Sequence, residues 1–183
     1  MIFLRSGNVD DIPAMRQLES TAASSAHWRE AEYLRIFDPQ AAQRMALVAA
    51  EDAIKNAPQD AVEYAIKGAI EDVVEAAPSG TLIGFLVART SGPEWELENI
   101  VVAASGRRRG IGRSLVAELL RCACQSGAEG VILEVRASNL PAIALYESLG
   151  FKACRRRSAY YSHPEEDAIL YLNPLRLESP ETR

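Results

Sequence analysis

The sequence predicts one α/β domain built around a single mixed sheet. Strand-like apolar segments alternate with segments whose apolar residues recur at helical spacing, and turns that contain glycine or proline separate them. At 183 residues, with 48% hydrophobic and 25% charged residues, the chain has the size and composition of one globular domain. We expect that domain to span residues 1–175, followed by a loose tail at 176–183.

The first half of the chain predicts the order β-α-α-β-α. Asn8–Asp11 supplies capping side chains before Ile12, Met15 and Leu18, which recur at helical spacing. A later segment has the same periodicity and ends at a Pro-Ser-Gly turn. The predicted elements are strand Met1–Arg5, a helix after Asn8, helix His27–Phe37, strand Met45–Ala50 and helix Asp60–Ala77.

The second half predicts the order β-β-α-β-α-β-β. Two β-rich segments flank a Ser-Gly-Pro-Glu-Trp hairpin turn, and two later helices each end at a glycine, Gly127 and Gly150. The predicted elements are strands Thr81–Thr90 and Glu96–Ala103, helix Gly110–Ser126 with the apolar stripe Ile111, Leu115, Leu119 and Cys122, strand Gly130–Arg136, helix Asn139–Leu149, and final strands over 151–161 and 167–172.

Composition argues against several classes of function. A net charge of −5 and a pI near 5.2 disfavour a general nucleic-acid binder, and no apolar run approaches the length of a membrane span. We expect Cys122, Cys124 and Cys154 to be small core residues in a reducing compartment. With only His27 and His163 available, a histidine-based metal site is not expected. The sequence therefore predicts a cytoplasmic protein without a bound metal.

The stretch Val101–Gly112, VVAASGRRRGIG, has the composition of an anion site. A strand runs into a turn with two glycines, and arginines surround the start of a helix. Helix N-termini carry unpaired N–H groups and partial positive charge, and glycines let a ligand approach the backbone closely. These features favour a diphosphate site over the alternative, a solvated loop. The Walker signature is absent, and Leu115 occupies the third glycine position of the dinucleotide fingerprint.

The pattern Arg107-x-x-Gly110-x-Gly112 between a strand and an amphipathic helix resembles the coenzyme A pyrophosphate loop of the GNAT superfamily of N-acetyltransferases. The stretch Leu97–Asp167 is most similar to the bacterial ribosomal-protein-alanine N-acetyltransferases, the RimI type. The order and spacing of several segments make this resemblance specific. They are NIVV (Asn99–Val102), RRRGIGRSL (Arg107–Leu115), LEVRASN (Leu133–Asn139), AIALYESLGF (Ala142–Phe151), RRRSAYY (Arg155–Tyr161) and EDA (Glu166–Ala168).

The resemblance implies a GNAT fold, in which helices flank a mostly antiparallel sheet and a bulge opens a V between two strands. It also implies acetyl-CoA as the co-substrate, with backbone groups of two valines holding the pantetheine arm and the turn amides holding the pyrophosphate. Asn139 is explained equally well as a simple helix cap. The implied cofactor-binding residues are Val101, Val102, Arg107, Arg108, Arg109, Gly110, Ile111, Gly112, Arg113 and Asn139.

The resemblance further implies direct acetyl transfer to an amine, with Glu134 as the base and Tyr146 as the acid that protonates the departing thiolate. From the strand alone, Glu134 is either paired with an arginine or facing a cleft. Tyr146 alone would be taken for a packed helix aromatic. Glu98 is a reserve base, because many GNAT relatives carry a glutamate on this strand. We expect Glu98 and Ile100 to share one face of it.

For the acceptor, the resemblance implies the N-terminal alanine of a ribosomal protein, with Tyr160 and Tyr161 beside a peptide groove. The acids Glu165, Glu166 and Asp167 form either an acidic lining that attracts a basic peptide or a solvated hairpin.

One departure from the group is an inserted segment at about residues 54–79, where its members have a short turn. The alternatives to protein N-terminal acetylation are transfer to a small-molecule amine or a lysine side chain, a non-catalytic acyl-CoA sensor, and an RNA-binding module. The acidic total charge weighs against RNA, and no contact with a membrane is expected. The sequence leaves the choice between monomer and homodimer open.

Overall fold

The computed structural model describes residues 1–22, 28–41, 43–52 and 80–175. The predicted helix Asp60–Ala77, the inserted segment 54–79 and the tail 176–183 lie outside these residues, as does His27. Among the described helices, none is long and apolar enough to cross a membrane.

Each element predicted within these residues is present with small differences at its ends, except that the predicted helix His27–Phe37 is the shorter helix Glu30–Leu34. The Asn8 side chain caps the first helical turn by accepting from the Asp10 N–H, as expected. The strands are β1 (Ile2–Ser6), β2 (Arg44–Asp52), β3 (Gly80–Ser91), β4 (Glu94–Val102), β5 (Gly130–Arg136), β6 (Lys152–Ser162) and β7 (Glu165–Pro174), and the helices are α1 (Ile12–Ser20), α2 (Glu30–Leu34), α3 (Ile111–Gln125) and α4 (Leu140–Ser148).

In the described part of the chain, the strands form one seven-stranded sheet in the order β1-β2-β3-β4-β5-β7-β6. Only the central pair, β4 and β5, is parallel, and every other neighbouring pair is antiparallel. The mixed, mostly antiparallel sheet is therefore confirmed.

A β-bulge on β4 opens the sheet. Successive residues of β3 pair with Asn99 and then with Leu97, so Glu98 is an extra residue on β4. The parallel pairing of β4 with β5 ends at the same place, where Leu97 pairs with Leu133. The rest of each strand has no partner across this gap, which is the V-shaped opening that the resemblance implies.

Apolar residues cover both faces of the sheet. Helices α3 and α4 pack on one face through residues that include Leu115, Leu119 and Tyr146, and α1 and α2 pack on the other through Met15 and Tyr33. All five are at most 4% exposed. Burying side chains of this size contributes about 1.5–3 kcal/mol each, so the two cores hold the parted strands in place.

The bulge makes one prediction about β4 wrong. That prediction places Glu98 and Ile100 on one face of the strand. Leu97 and Ile100 both pack toward α3, whereas Asn99 and Val101 face α1 and α2. Leu97 and Ile100 are three residues apart, and they share a face only because the extra residue Glu98 interrupts the alternation of side chains along the strand. Ile100 therefore does not lie on the side of the sheet that Glu98 faces.

The prediction that all three cysteines are core residues is also wrong. Cys124 and Cys154 are exposed, and Cys122 is partly buried. On α3, Ala123 takes the buried position beside Leu119, so Cys124 projects outward. Cys154 is the extra residue of a bulge in β6, which is an edge strand.

Candidate active site

The turn before α3 presents a row of free backbone amides. Gly110 adopts a left-handed conformation with φ 81° and caps the helix, and Arg108 is also left-handed with φ 62°. The N–H of Ser114 donates to the carbonyl of Gly110 at 2.9 Å. Among the described residues, none accepts a hydrogen bond from the amides between Arg108 and Arg113. Alternating left-handed residues turn such amides toward one point, which suits an anion.

The arginines of this turn are not equivalent. Arg109 forms a bidentate ion pair with Glu51 at the end of β2, with Nη2–Oε1 at 2.6 Å and Nη1–Oε2 at 3.3 Å. Arg113 donates from Nη1 to the Ser148 hydroxyl at 3.0 Å. Arg107 and Arg108 are exposed, and within the described chain neither forms an ion pair. These two are therefore the arginines best able to add charge at the turn.

The edge of β4 that borders the opening carries the two valines expected to hold the pantetheine arm. Val101 and Val102 pair with β3 on one side, opposite Phe85 and Gly84. On their other side, β4 has no strand partner after Leu97 in the described residues. An unpaired strand edge offers N–H and C=O groups to an extended ligand.

Glu134 lies on β5 just past the last residue that pairs with β4. Its Oε1 is 2.7 Å from Nη1 of Arg157 on β6, and its side chain is 17% exposed. A hydrogen bond with Glu134 raises the pKa of the Tyr160 hydroxyl. Burial, followed by the charge of Glu134, raises the pKa of Tyr161. The structure thus brings the predicted base and the two predicted acceptor-site tyrosines into one cluster.

Tyr146 on α4 is 4% exposed and packs its ring against Phe151, with centroids 5.7 Å apart. Its burial, with a smaller contribution from Tyr161, raises its pKa well above the usual value. The phenol therefore stays protonated at neutral pH. Tyr161, whose charge is the smaller cause of the raised pKa of Tyr146, is also the tyrosine whose own pKa the charge of Glu134 raises.

Glu98, the reserve base, is held by arginines. Its carboxylate accepts from Arg44 at 2.7 and 3.1 Å, and Nε of Arg89 lies 3.1 Å away in an ion pair. Glu98 follows Leu97 and Glu134 follows Leu133, so the two acids flank the point where the strands part. Glu98 is tied into the sheet by two cations, and Glu134 by one cation that is half exposed.

Asn139 caps the start of α4, which is the simpler of the two roles expected for it. Its side-chain oxygen accepts from the Ala142 N–H at 3.3 Å.

The acids of the β6–β7 hairpin are mostly engaged in hydrogen bonds and ion pairs. Glu166 accepts from Arg136 at 3.2 Å and from the Ser138 N–H at 2.6 Å, which leaves little of its charge for a basic peptide.

Sequence reasoning did not find two features of the site. One is Arg157, which lies in the quoted RRRSAYY segment but has no pattern that links it to Glu134. The other is a buried carboxylate on α1, Glu19, which accepts from Asn99 at 2.7 Å and from the Tyr33 hydroxyl at 2.8 Å. These bonds tie α1 and α2 to β4 directly after the bulge. A glutamate followed long afterwards by a tyrosine and an asparagine gives no local signal.

An opened parallel strand pair beside a turn of free amides defines the class of the protein. A model of the acetyltransferase (GNAT) family matches residues 43–151. The chain belongs to this family, whose members are N-acetyltransferases. Among the described residues, no group of three His, Cys, Asp or Glu side chains is arranged to hold a metal ion.

Individual relatives agree with this assignment. The [ribosomal protein bS18]-alanine N-acetyltransferase of Escherichia coli K12 is 39% identical over 98 residues, which cover 52% of this chain and 66% of that protein. The crystal structure of the Escherichia coli ribosomal-protein-S18-alanine N-acetyltransferase superimposes with a TM-score of 0.74 at 24% identity, covering 100% of this chain and 99% of that one. Arabidopsis thaliana NAA60 in complex with acetyl-CoA gives 0.72 at 20% identity, covering 94% and 97%. The chain thus spans about two thirds of the curated relative, and the solved structures share its fold.

Proposed function

We propose that this protein is an acetyl-CoA-dependent N-acetyltransferase that modifies the N-terminal α-amino group of a protein, of the ribosomal-protein-alanine type. The observation that carries the proposal is the opening between β4 and β5, with free turn amides at one end and Glu134 at the other. This arrangement suits a long thioester whose anionic end and reactive end are bound separately. The curated relative with this activity, matched over 52% of the chain, supports the choice of acceptor.

The donor would lie along the unpaired edge of β4. The amides from Arg108 to Gly112 would receive the pyrophosphate, since the Arg107 N–H already donates to the Ala104 carbonyl at 3.3 Å, and the side chains of Arg107 and Arg108 would add positive charge. The pantetheine amides would pair with backbone groups of Val101 and Val102, as an added strand does. Coenzyme A supplies the activated acetyl group, and the protein holds that group in position for the acceptor amine.

The chemistry requires a neutral amine and a protonated leaving group. A peptide α-amino group titrates near about 8, so a modest base suffices. Glu134 would accept the amine proton, directly or through water, as the nitrogen attacks the thioester carbonyl. The new C–N bond replaces the C–S bond, and the departing thiolate takes a proton from Tyr146. The phenol of Tyr146, whose pKa is raised mainly by burial, carries its proton at neutral pH and so is in the form that a donor requires.

The acceptor would enter over the tyrosines of β6. Tyr160 is 48% exposed and meets Tyr161 edge to face, with ring centroids 5.1 Å apart. Such a pair offers a flat, half-apolar surface beside Glu134, suited to a small first residue such as alanine. Because Glu166 is already paired with Arg136, we assign recognition of the peptide to the tyrosines and not to an acidic lining.

The test is coenzyme A release with an alanine-initiated peptide. We expect Glu134→Gln to lower kcat by about 100-fold or more, and Tyr146→Phe by about 10-fold or more, because each removes a proton-transfer group. Binding of acetyl-CoA, measured by calorimetry, is expected to stay within about twofold of the wild type in both variants. An equal loss of cofactor affinity would contradict the assigned roles. Release with small amines but not with peptides would contradict the assigned acceptor.

A further inference from the structure

The carboxylate that we assign as the base already holds a cation. Nη1 of Arg157 lies 2.7 Å from Oε1 of Glu134, at the position where a protonated acceptor amine would arrive. We propose that Arg157 occupies the cation position of the acceptor site, and that on displacement it selects acceptors with a carboxylate next to the amine, namely peptides whose second residue is Asp or Glu. This inference rests on the proposed function.

Arg157 reaches Glu134 from two strands away. It pairs in register with Ala168 on β7, which in turn pairs with Arg136 on β5. Two strand spacings are about 10 Å, so the side chain must extend across β7 to reach the carboxylate. Ala168 is fully buried, and its small side chain leaves room for that path.

An irregular segment of β6 sets the direction of Arg157. Residues Arg157 and Tyr161 pair with Ala168 and Glu166, so β6 carries two extra residues between these pairs. Ala159 in this segment has a positive φ of 50°, and its N–H donates to Asp167 at 2.9 Å. The bulge is therefore anchored by a hydrogen bond, and it presents Arg157 and Tyr160 together at Glu134.

The neighbouring arginines are committed elsewhere. Arg136 lies 4.0 Å over the Tyr161 ring and binds Glu166 at 3.2 Å, and Arg156 binds Asp167 at 2.6 Å. Arg157 is the arginine of this group that holds Glu134, and it also lies 5.3 Å from the Tyr160 ring. Arg156 is more exposed, at 65% against 45%, but its partner is Asp167, so Arg157 is the arginine that an acceptor at Glu134 would displace.

Displacement leaves the Arg157 guanidinium without a charged partner. An ammonium arriving at Oε1 of Glu134 is repelled by the guanidinium already there, and Arg157, which is half exposed, is the group that can move into solvent. Glu166 and Asp167 already have arginine partners, and Glu165 lies at the hairpin tip opposite Ser162. A carboxylate on the acceptor itself, one residue from the amine, is within reach of the released guanidinium and forms a paired hydrogen bond with it.

The experiment compares three peptides that begin Ala-Glu, Ala-Gln and Ala-Lys and are otherwise identical. The wild-type protein is expected to show a kcat/KM for Ala-Glu about tenfold above that for Ala-Lys, through the acceptor KM, because one partly exposed charge pair is gained and one repulsion avoided. Arg157→Gln should reduce this ratio to about one. Arg155→Gln is the matched control, since Arg155 is exposed on the same strand, pairs with Leu170, and forms no ion pair within the described chain.

Each outcome decides between the proposals. A wild-type ratio at or below one overturns the selection, and so does an equal loss of the ratio in Arg157→Gln and Arg155→Gln, which would indicate general surface charge. Equal turnover of all three peptides overturns the selection and leaves the proposed function standing. Failure of every peptide to release coenzyme A overturns both. Retention of the ratio in Arg155→Gln, with its loss in Arg157→Gln, supports the selection.

Discussion

Replacing Gly110 with alanine tests whether backbone conformation makes the donor site. Gly110 has φ 81°, and a Cβ placed there would meet nothing within 4 Å. The change therefore adds no clash, and its cost is confined to the left-handed conformation, about 1–2 kcal/mol for a residue with a Cβ. Alanine also reduces the conformational entropy of the unfolded chain, which stabilises the folded state by about 0.4–1 kcal/mol. We expect a net destabilisation of about 1 kcal/mol.

Gly112, two residues after Gly110 and the second residue of α3, provides the matched control. It lies inside α3, and a Cβ there would lie 3.3 Å from Leu145 Cδ2 and 3.8 Å from Val102 Cγ2. The closer neighbour is the end of a flexible side chain, which can shift by a few tenths of an ångström. Alanine is favoured over glycine in a helix by about 0.5–1 kcal/mol, so Gly112→Ala should be neutral or slightly stabilising.

The assay is thermal and urea unfolding of both variants, followed by titration with coenzyme A. Gly110→Ala should melt about 2–4 °C below the wild type, as expected for a loss of about 1 kcal/mol in a chain of this length. Its affinity for coenzyme A should fall by about fivefold, because strain at the cap disperses the amides that receive the phosphates. Equal melting temperatures for Gly110→Ala and Gly112→Ala, or a larger loss in Gly112→Ala, would refute the reasoning.

Three further predictions concern protonation and charge. Turnover should increase from pH 6 to about 9, because the acceptor amine loses its proton over that range. It should not fall before about pH 10, because the pKa of Tyr146 is raised and the phenol keeps its proton; a fall between about pH 8 and 9 would count against Tyr146 as the acid. Glu98→Gln should lower stability by about 1–3 kcal/mol in urea unfolding, because Arg44 loses a charged partner, and reduce kcat far less than Glu134→Gln; the opposite order of kcat values would exchange the two roles. Arg109→Ala should weaken coenzyme A binding less than Arg107→Ala in a titration, because Arg109 is held by Glu51; equal losses would show that this ion pair opens on binding.

Local patterns predicted most of the fold. Helix α3 begins and ends close to Gly110 and Gly127 because a left-handed glycine caps each end. The strand Gly130–Arg136 has the predicted bounds, since its short apolar run between Gly130 and Arg136 is visible in the sequence. Where prediction failed, at Cys154, the residue lies in a bulge of an edge strand, and its exposure depends on the strand order. Strand order is a property of the whole sheet.

The sequence by itself determined the turn that we propose as the anion site, because a glycine with positive φ, a helix start and its free amides are all local to Arg107–Gly112. Only the tertiary structure decided which charged groups are available. Glu98 and Glu134 are both acids on apolar strands, and no local pattern indicates that the first is held by Arg44 and the second by Arg157. Those partners come from strands distant in the chain, and register and bulges, which depend on the packing of the complete sheet, bring them together.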